Sequence, residues 1–174
     1  MNKTTLLSVG VIGAGIGASH VAGYRAHPHR YLVAAVCDLD IARAREVAGE
    51  ETGTRAVTDM ADLLADPEID IIDVSLPPHL HFSATIAALD AGKHVICEKP
   101  MAPTVADCNE MIKACNDNKV QLSIGYRMHY EPNTQEIMRL AKDKDFGNIR
   151  QISTGAGFNM NFFDSWKSKK ELNC

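Results

Sequence analysis

The chemistry most plainly written in this chain lies in two small residues flanking a turn and an acid that follows them. The run Val9-Gly10-Val11-Ile12-Gly13-Ala14-Gly15-Ile16-Gly17-Ala18 places G-x-G-x-x-A directly after an apolar stretch. The next apolar stretch, Tyr31 to Cys37, ends in Asp38, 20 residues beyond Ala18. Gly13 suits a tight turn out of a strand, and Gly15 puts no Cβ between backbone N–H groups and a pyrophosphate. Ala18 is small enough for a following helix to lie close on the sheet. The start of that helix offers free N–H groups and a partial positive charge, both suited to phosphate. The Asp38 carboxylate can accept hydrogen bonds from ribose hydroxyls and would repel a 2′-phosphate. The pattern points to a dinucleotide, NAD in preference to NADP, with Gly13, Gly15, Ile16, Gly17 and Asp38 as cofactor residues. A glycine-rich turn with a purely structural job is the alternative reading of the same residues.

Positioning these groups requires a strand, a helix and a second strand, and the pattern continues past them. Apolar strand candidates are Leu7–Ile12, Tyr31–Cys37, Arg55–Val57, Ile69–Ser75, His94–Cys97 and Val120–Ile124. Helical patterns fall between them at Gly17–Ala26, Ile41–Glu51, Met60–Ala65, His79–Ala91 and Val105–Asn118. Thr58-Asp59 and Thr104 are suited to cap the third and fifth helices. Strict alternation of strand and helix predicts an α/β fold, a doubly wound parallel sheet of Rossmann type complete by about Gly125. Residues 126–174 read differently from this alternating part. There Pro132 opens a helix at Thr134–Lys142, Asp145-Phe146-Gly147-Asn148 forms a turn, and Ile149–Thr154 is a strand candidate.

Ligands of such sheets bind beyond the carboxyl ends of the strands. Besides the glycine loop and Asp38, those ends hold Ser75-Leu76-Pro77 with His81 close behind, then Glu98-Lys99-Pro100, then Gly125-Tyr126-Arg127. Each has an ordinary reading beside the functional one. Lys99 alone reads as a solvated lysine in a turn, Glu98 as a surface acid, His81 as a structural histidine and Arg127 as half of a domain-linking ion pair.

Composition narrows the class. The chain has 174 residues, 45% hydrophobic and 23% charged, with a net charge of −4. That balance leaves no electrostatic footprint for nucleic acid or an anionic membrane. No apolar run approaches the roughly 18 residues that span a bilayer. The N-terminus runs straight into the first strand rather than resembling a cleaved signal. The five cysteines have no metal-ligand spacing, so no metal is expected, and reduced thiols in a cytoplasmic protein are the plain reading.

The strings VGVIGAGIGASH, VCDLD, LLADPEIDIIDVSLPPHLHFSATIAALDAGKHVICEKPMA and IGYRMHYEPN, in this order, resemble the Gfo/Idh/MocA family. These are the relatives of glucose–fructose oxidoreductase, inositol dehydrogenase and the rhizopine-catabolism proteins. The resemblance runs from about Ser8 to Trp166, and AGKHVICEKP is its most specific part. It implies NAD(P)-dependent hydride transfer to or from a secondary alcohol of a sugar, cyclitol or polyol, in a homo-oligomer, and that residues 126–174 are the beginning of a second, α+β domain for substrate and oligomerisation. It implies that Lys99 lies beside the nicotinamide and substrate as a catalytic residue, and that the Lys99–Pro100 bond is often cis. It places Ser75, Leu76, Pro77, His81, Glu98 and Arg127 around the cofactor, and leaves His20 a structural role. An NAD-binding module without catalysis and an NAD-dependent glycosidase of the same family are the competing readings.

Three departures from the family pattern stand out. The loop Gly15-Ile16-Gly17-Ala18-Ser19-His20 is one residue shorter than in many relatives, so the helix start is expected to shift. Trp166-Lys167 has lysine where the family has arginine, which weakens the case for a bidentate contact to substrate. Nothing after Trp166 matches the family's catalytic D-x-x-x-H or D-x-x-x-Y, so the chain is expected to be the N-terminal part of a longer enzyme. Its tail, with Phe158, Phe162 and Phe163, is then expected to be mobile or to pair with another copy.

Overall fold

Continuous apolar runs bury both faces of a strand, and this chain buries them in one parallel sheet. The computed structural model describes residues 6–50, 53–145, 147–153 and 155. The expectations for Thr154, Trp166-Lys167, Phe158, Phe162 and Phe163 lie outside the described residues. The strands are β1 (Leu7–Ile12), β2 (Tyr31–Cys37), β3 (Arg55–Val57), β4 (Ile71–Val74), β5 (His94–Cys97) and β6 (Leu122–Ile124). All neighbours run parallel, in the order β3-β2-β1-β4-β5-β6. This is the doubly wound Rossmann arrangement, whose order reverses between β1 and β4 and opens a crevice there.

Helices cover both faces. On one, α1 (Gly17–Arg25) and α2 (Ile41–Ala48) pack Val21, Ala44 and Ala48 against Val9, Val11, Val36 and Ile71. On the other, α3 (Ala61–Leu64), α4 (His81–Asp90) and α5 (Val105–Asp117) enclose a larger core that includes Leu63, Ile72, Ala88, Leu89 and Cys97. Side chains alternate along β4, so Ile72 and Val74 join the larger core while Ile71 and Asp73 face α1. On β2 the alternation is broken once. Val9 pairs with Val33 but Gly10 pairs with Ala35, leaving Ala34 as an extra residue in the strand.

Caps fix several boundaries. Asp40 accepts from the N–H of Ala42 at 3.0 Å, and Thr104 Oγ1 accepts from Asp107 N–H at 3.1 Å. The buried Lys93 ammonium donates to the carbonyl oxygen of Ile69 at 2.8 Å and holds the turn before β4. The helix expected from His79 instead starts at His81, after a short 3-10 turn at Pro78–Leu80. Pro78 holds Pro77 extended (φ −60°, ψ 147°), so the chain reaches helical geometry only after the turn.

The chain divides into two compact units at Gly125/Tyr126. In the second unit, α6 (Pro132–Asp143) starts behind a cap in which Glu131 accepts from Thr134 N–H at 3.1 Å. The strand expected at Ile149–Thr154 does not form among the described residues. A strand needs a neighbour to satisfy its backbone groups, and the described residues of this unit offer none. Ile149 instead borders a shallow apolar recess with Ile137, Leu140 and Ala141 of α6.

The turn between β1 and α1 is closely packed. Gly13 has φ +101°, and a Cβ there would stand 2.4 Å from the carbonyl oxygen of Ser75. Backbone strain and overpacking each cost about 1–3 kcal/mol. Gly13→Ala is therefore expected to destabilise the chain by more than about 2 kcal/mol, read as a lower urea midpoint at unchanged slope.

Candidate functional site

The carboxyl ends of the strands collect the residues singled out in the sequence. Gly13 N–H donates to the carbonyl of Cys37 at 2.8 Å, which ties the end of β1 to the end of β2. Asp38 completes that tie. Its Oδ2 accepts from Ala14 N–H at 2.9 Å and its Oδ1 from Asp40 N–H at 3.0 Å. Each oxygen keeps lone-pair capacity for a further donor such as a ribose hydroxyl. The Arg43 guanidinium lies 3.7 Å from the same carboxylate.

Beside Asp38 the glycine loop is open. Nothing stands within 4 Å of where a Cβ on Gly15 would be. Ile16 precedes α1 without a side-chain cap, so the first N–H groups of this helix have no side-chain acceptor. Gly17 makes the close approach expected of Ala18. Its Cβ would meet Val11 Cγ1 at 2.9 Å, and Gly17 is buried where Ala18 is half-buried. The helix-to-sheet contact thus falls at Gly17, one residue N-terminal to Ala18. An open cradle, an uncapped helix start and a pinned carboxylate with free acceptor capacity fit a dinucleotide.

The loops after β4 and β5 form the other wall. Ser75, Leu76 and Pro77 leave β4, with Ser75 N–H bonded to the carbonyl of Ile12 at 2.8 Å. His81 is fully buried, and its ring spans two backbone carbonyls. Nδ1 lies 2.6 Å from Pro100 O, and Nε2 lies 2.8 Å from Leu76 O. The His81 ring thus packs between the two loops. The Lys99–Pro100 peptide is cis. Lys99 is exposed, and its backbone N–H donates to Glu98 Oε2 at 3.1 Å. Gly125 follows β6 and bonds the carbonyl of Cys97 at 2.8 Å, against the Glu98 side chain. Arg127 opens a 3-10 turn in the second unit and is exposed.

Sequence reasoning missed the group beneath this wall. Asp73, mid-strand in β4, is fully buried and accepts from three side chains. Tyr24 Oη donates to Oδ2 at 2.6 Å, His20 Nδ1 lies 2.9 Å from Oδ2, and Ser75 Oγ donates to Oδ1 at 2.7 Å. The other nitrogen of His20, Nε2, lies 3.3 Å from Glu98 Oε1. The hydrogen bond to Asp73 holds the His20 pKa above its ordinary 6.5, against burial, with Glu98 adding to the rise. Burial, followed by the Asp73 charge, pushes the Tyr24 phenol up strongly, so it stays a donor. The visible signal was a charged residue inside an otherwise apolar strand and a histidine one turn into α1.

Cys37 and Cys97 are buried, and burial pushes both thiols up to about 11, which makes them poor nucleophiles. Among the described residues no His, Cys, Asp and Glu side chains are grouped to hold a metal ion, and no helix is long and apolar enough to cross a membrane.

Comparison with known proteins agrees with this architecture. Residues 7–126 match the family model of the Gfo/Idh/MocA oxidoreductases, described as having an NAD-binding Rossmann fold. Inositol 2-dehydrogenase of Rhodococcus jostii is 30% identical over 151 residues, which is 86% of this chain and 41% of that protein. The WlbA dehydrogenase of Bordetella pertussis, solved with NADH and UDP-GlcNAcA, superimposes with a TM-score of 0.76 at 28% identity, over 84% of this chain and 42% of its own. KijD10, a 3-ketoreductase of Actinomadura kijaniata solved with NADP, gives 0.76 at 26% identity, over 84% and 47%. The chain therefore spans less than half the length of these relatives.

The raised His20 value has a signed consequence for stability. A histidine whose folded value exceeds its unfolded value stabilises fully below the unfolded value, about 6.5, and loses that contribution as pH rises through the folded value. The urea midpoint should fall above pH 6.5 in the parent chain. In His20→Gln that part of the pH dependence should vanish.

Proposed function

The chain belongs to the Gfo/Idh/MocA family of oxidoreductases, and from that premise we propose that it supplies the cofactor site of an NAD-dependent dehydrogenase. The proposed substrate is a sugar, cyclitol or related polyol with an oxidisable secondary alcohol. The observation that carries this reading is Asp38, held by two backbone N–H groups directly beside the open Gly15 cradle. In this reading Gly13, Gly15, Ile16 and Gly17 hold the phosphates at the start of α1, and Asp38 accepts the adenosine ribose hydroxyls. Ser75, Leu76, Pro77, His81 and Glu98 border the nicotinamide end. The nicotinamide, when bound, supplies the hydride acceptor or donor. Lys99 hydrogen-bonds the reacting hydroxyl or carbonyl and stabilises charge on its oxygen. The inositol dehydrogenase relative, and the family resemblance of the E-K-P turn, support the polyol assignment.

Arg43 favours a second reading of cofactor choice. Its guanidinium stands 3.7 Å from Asp38, where a 2′-phosphate would meet both an attractive and a repulsive charge. NAD is the proposed cofactor because the Asp38 carboxylate is half-buried and pinned, while Arg43 is half-exposed to water. Titration of the chain should give tighter binding of NADH than of NADPH. Asp38→Ser should shift that preference toward NADPH by on the order of tenfold, about 1.4 kcal/mol. Equal affinities in the parent chain would overturn the assignment.

The role of Lys99 is tested in a protein that carries this chain together with its substrate domain. Lys99→Met should lower turnover by roughly 10²–10⁴, with cofactor affinity changing far less. Turnover near the parent level would return Lys99 to the status of a solvated surface lysine.

A further inference from the structure

We propose that His20, as an imidazolium, is a positioning residue that holds Glu98 and through it the turn bearing Lys99. The inference rests on the reading of Glu98-Lys99 as part of the site. It assigns the histidine a task beyond packing. His20 sits one turn into α1, and its two ring nitrogens face two different carboxylates. Nδ1 is 2.9 Å from Asp73 Oδ2, and Nε2 is 3.3 Å from Glu98 Oε1. A neutral imidazole donates from one nitrogen only, whereas an imidazolium donates from both. Both carboxylates are attracted only by the charged ring, Asp73 through a hydrogen bond and Glu98 as an ion pair.

The two carboxylates are not equivalent. Asp73 lies at 0% exposure inside the sheet and has two further donors, Tyr24 Oη at 2.6 Å and Ser75 Oγ at 2.7 Å. It is an anchor. Glu98 lies at the end of β5 with one other side-chain tie, Oε2 to the backbone N–H of Lys99 at 3.1 Å. Its second neighbour, Gly125 after β6, brings no side chain. The route runs from a fixed charge in the sheet, through the ring, to one oxygen of Glu98, and from the other oxygen to the amide of Lys99.

Loss of the proton breaks the route at one place. The strong contact to Asp73 keeps the remaining proton on Nδ1, and the lone pair on Nε2 then faces Glu98 Oε1. Two acceptors at that distance repel, so the Glu98 carboxylate turns away and the Lys99 amide loses its acceptor. The groups facing the ring are Asp73 and Ser75 from β4 and its end, and Glu98 from the end of β5, with Tyr24 on α1 sharing Asp73. Both charged groups among them are acids, which agrees with the raised value of the histidine.

The test uses the chain without cofactor, so it is independent of whether NADH binds. Proton–nitrogen NMR follows the imidazole of His20 and the backbone amide of Lys99 across roughly pH 5 to 9, the range in which histidine changes charge. The Lys99 amide should titrate with the same midpoint as the His20 ring. In Glu98→Gln the ring should still titrate, at a lower midpoint, and the Lys99 amide should no longer follow it. Glu98 is only half-buried, so this variant is expected to fold even if His20→Gln, which strips a donor from buried Asp73, does not. A Lys99 amide that stays flat while His20 titrates overturns the proposal. So does an amide that follows His20 equally well in Glu98→Gln. A failure of the dehydrogenase reading would appear separately, as a chain that binds no NADH or as an inert Lys99→Met.

Discussion

A carboxylate inside a parallel sheet has to be met by donors, because an uncompensated charge there costs several kcal/mol. Asp73 sets that requirement for this fold. It lies between Ile72 and Val74 in a strand that is buried along its whole length. Its donors come from α1 and from the end of β4. Answering it fixes where α1 sits along β4, and therefore where α1 begins. The start of α1 is the wall of the glycine loop. The same charge holds His20, and His20 reaches Glu98. One buried group thus relates the glycine-loop end of the site to the E-K-P end.

Much of the fold and part of the site could be read from the chain without coordinates, and the division follows sequence separation. The six strands were visible because each is a short apolar run ended by turn residues. The glycine loop and Asp38 were visible because their job is local: a turn, an uncapped helix and an acid at the next strand end. Gly17 in place of Ala18 shows the limit of that reading, since a motif written as spacing does not say which residue touches Val11. The group around Asp73 was hidden because His20 and Tyr24 stand 49 to 55 residues from Asp73 and Ser75 in the chain. His20 was given a structural role, and Asp73 is one acid within an apolar strand. Neither has meaning until the sheet brings them within 3 Å of each other.

The second unit shows the opposite case. The run Ile149–Thr154 has the composition of a strand, yet the described part of it pairs in no ladder. Composition states what a segment tolerates, while a strand also needs a neighbour. Arg139 illustrates the local order that does form there. It reaches Glu136 at 2.8 Å and Asp143 at 3.0 Å along the exposed face of α6. Such pairs contribute little to stability and do not decide architecture.

The extra residue in β2 makes the distance from the glycine loop to Asp38 a matter of parity as well as length. Before Ala34, Val33 faces α1 and α2; after it, Ala35 and Cys37 face the opposite core. A strand has only two sides, so one inserted residue exchanges them for everything downstream. The acid that ends the strand inherits that exchange. An aspartate delivered by a strand of regular pleat would set out from the other side of the sheet and would no longer meet the amide of Ala14. The bulge therefore works as a phase setting. Odd and even positions past it are not interchangeable, and a shortened β2 could keep every apolar residue buried while presenting the wrong side chain to the loop.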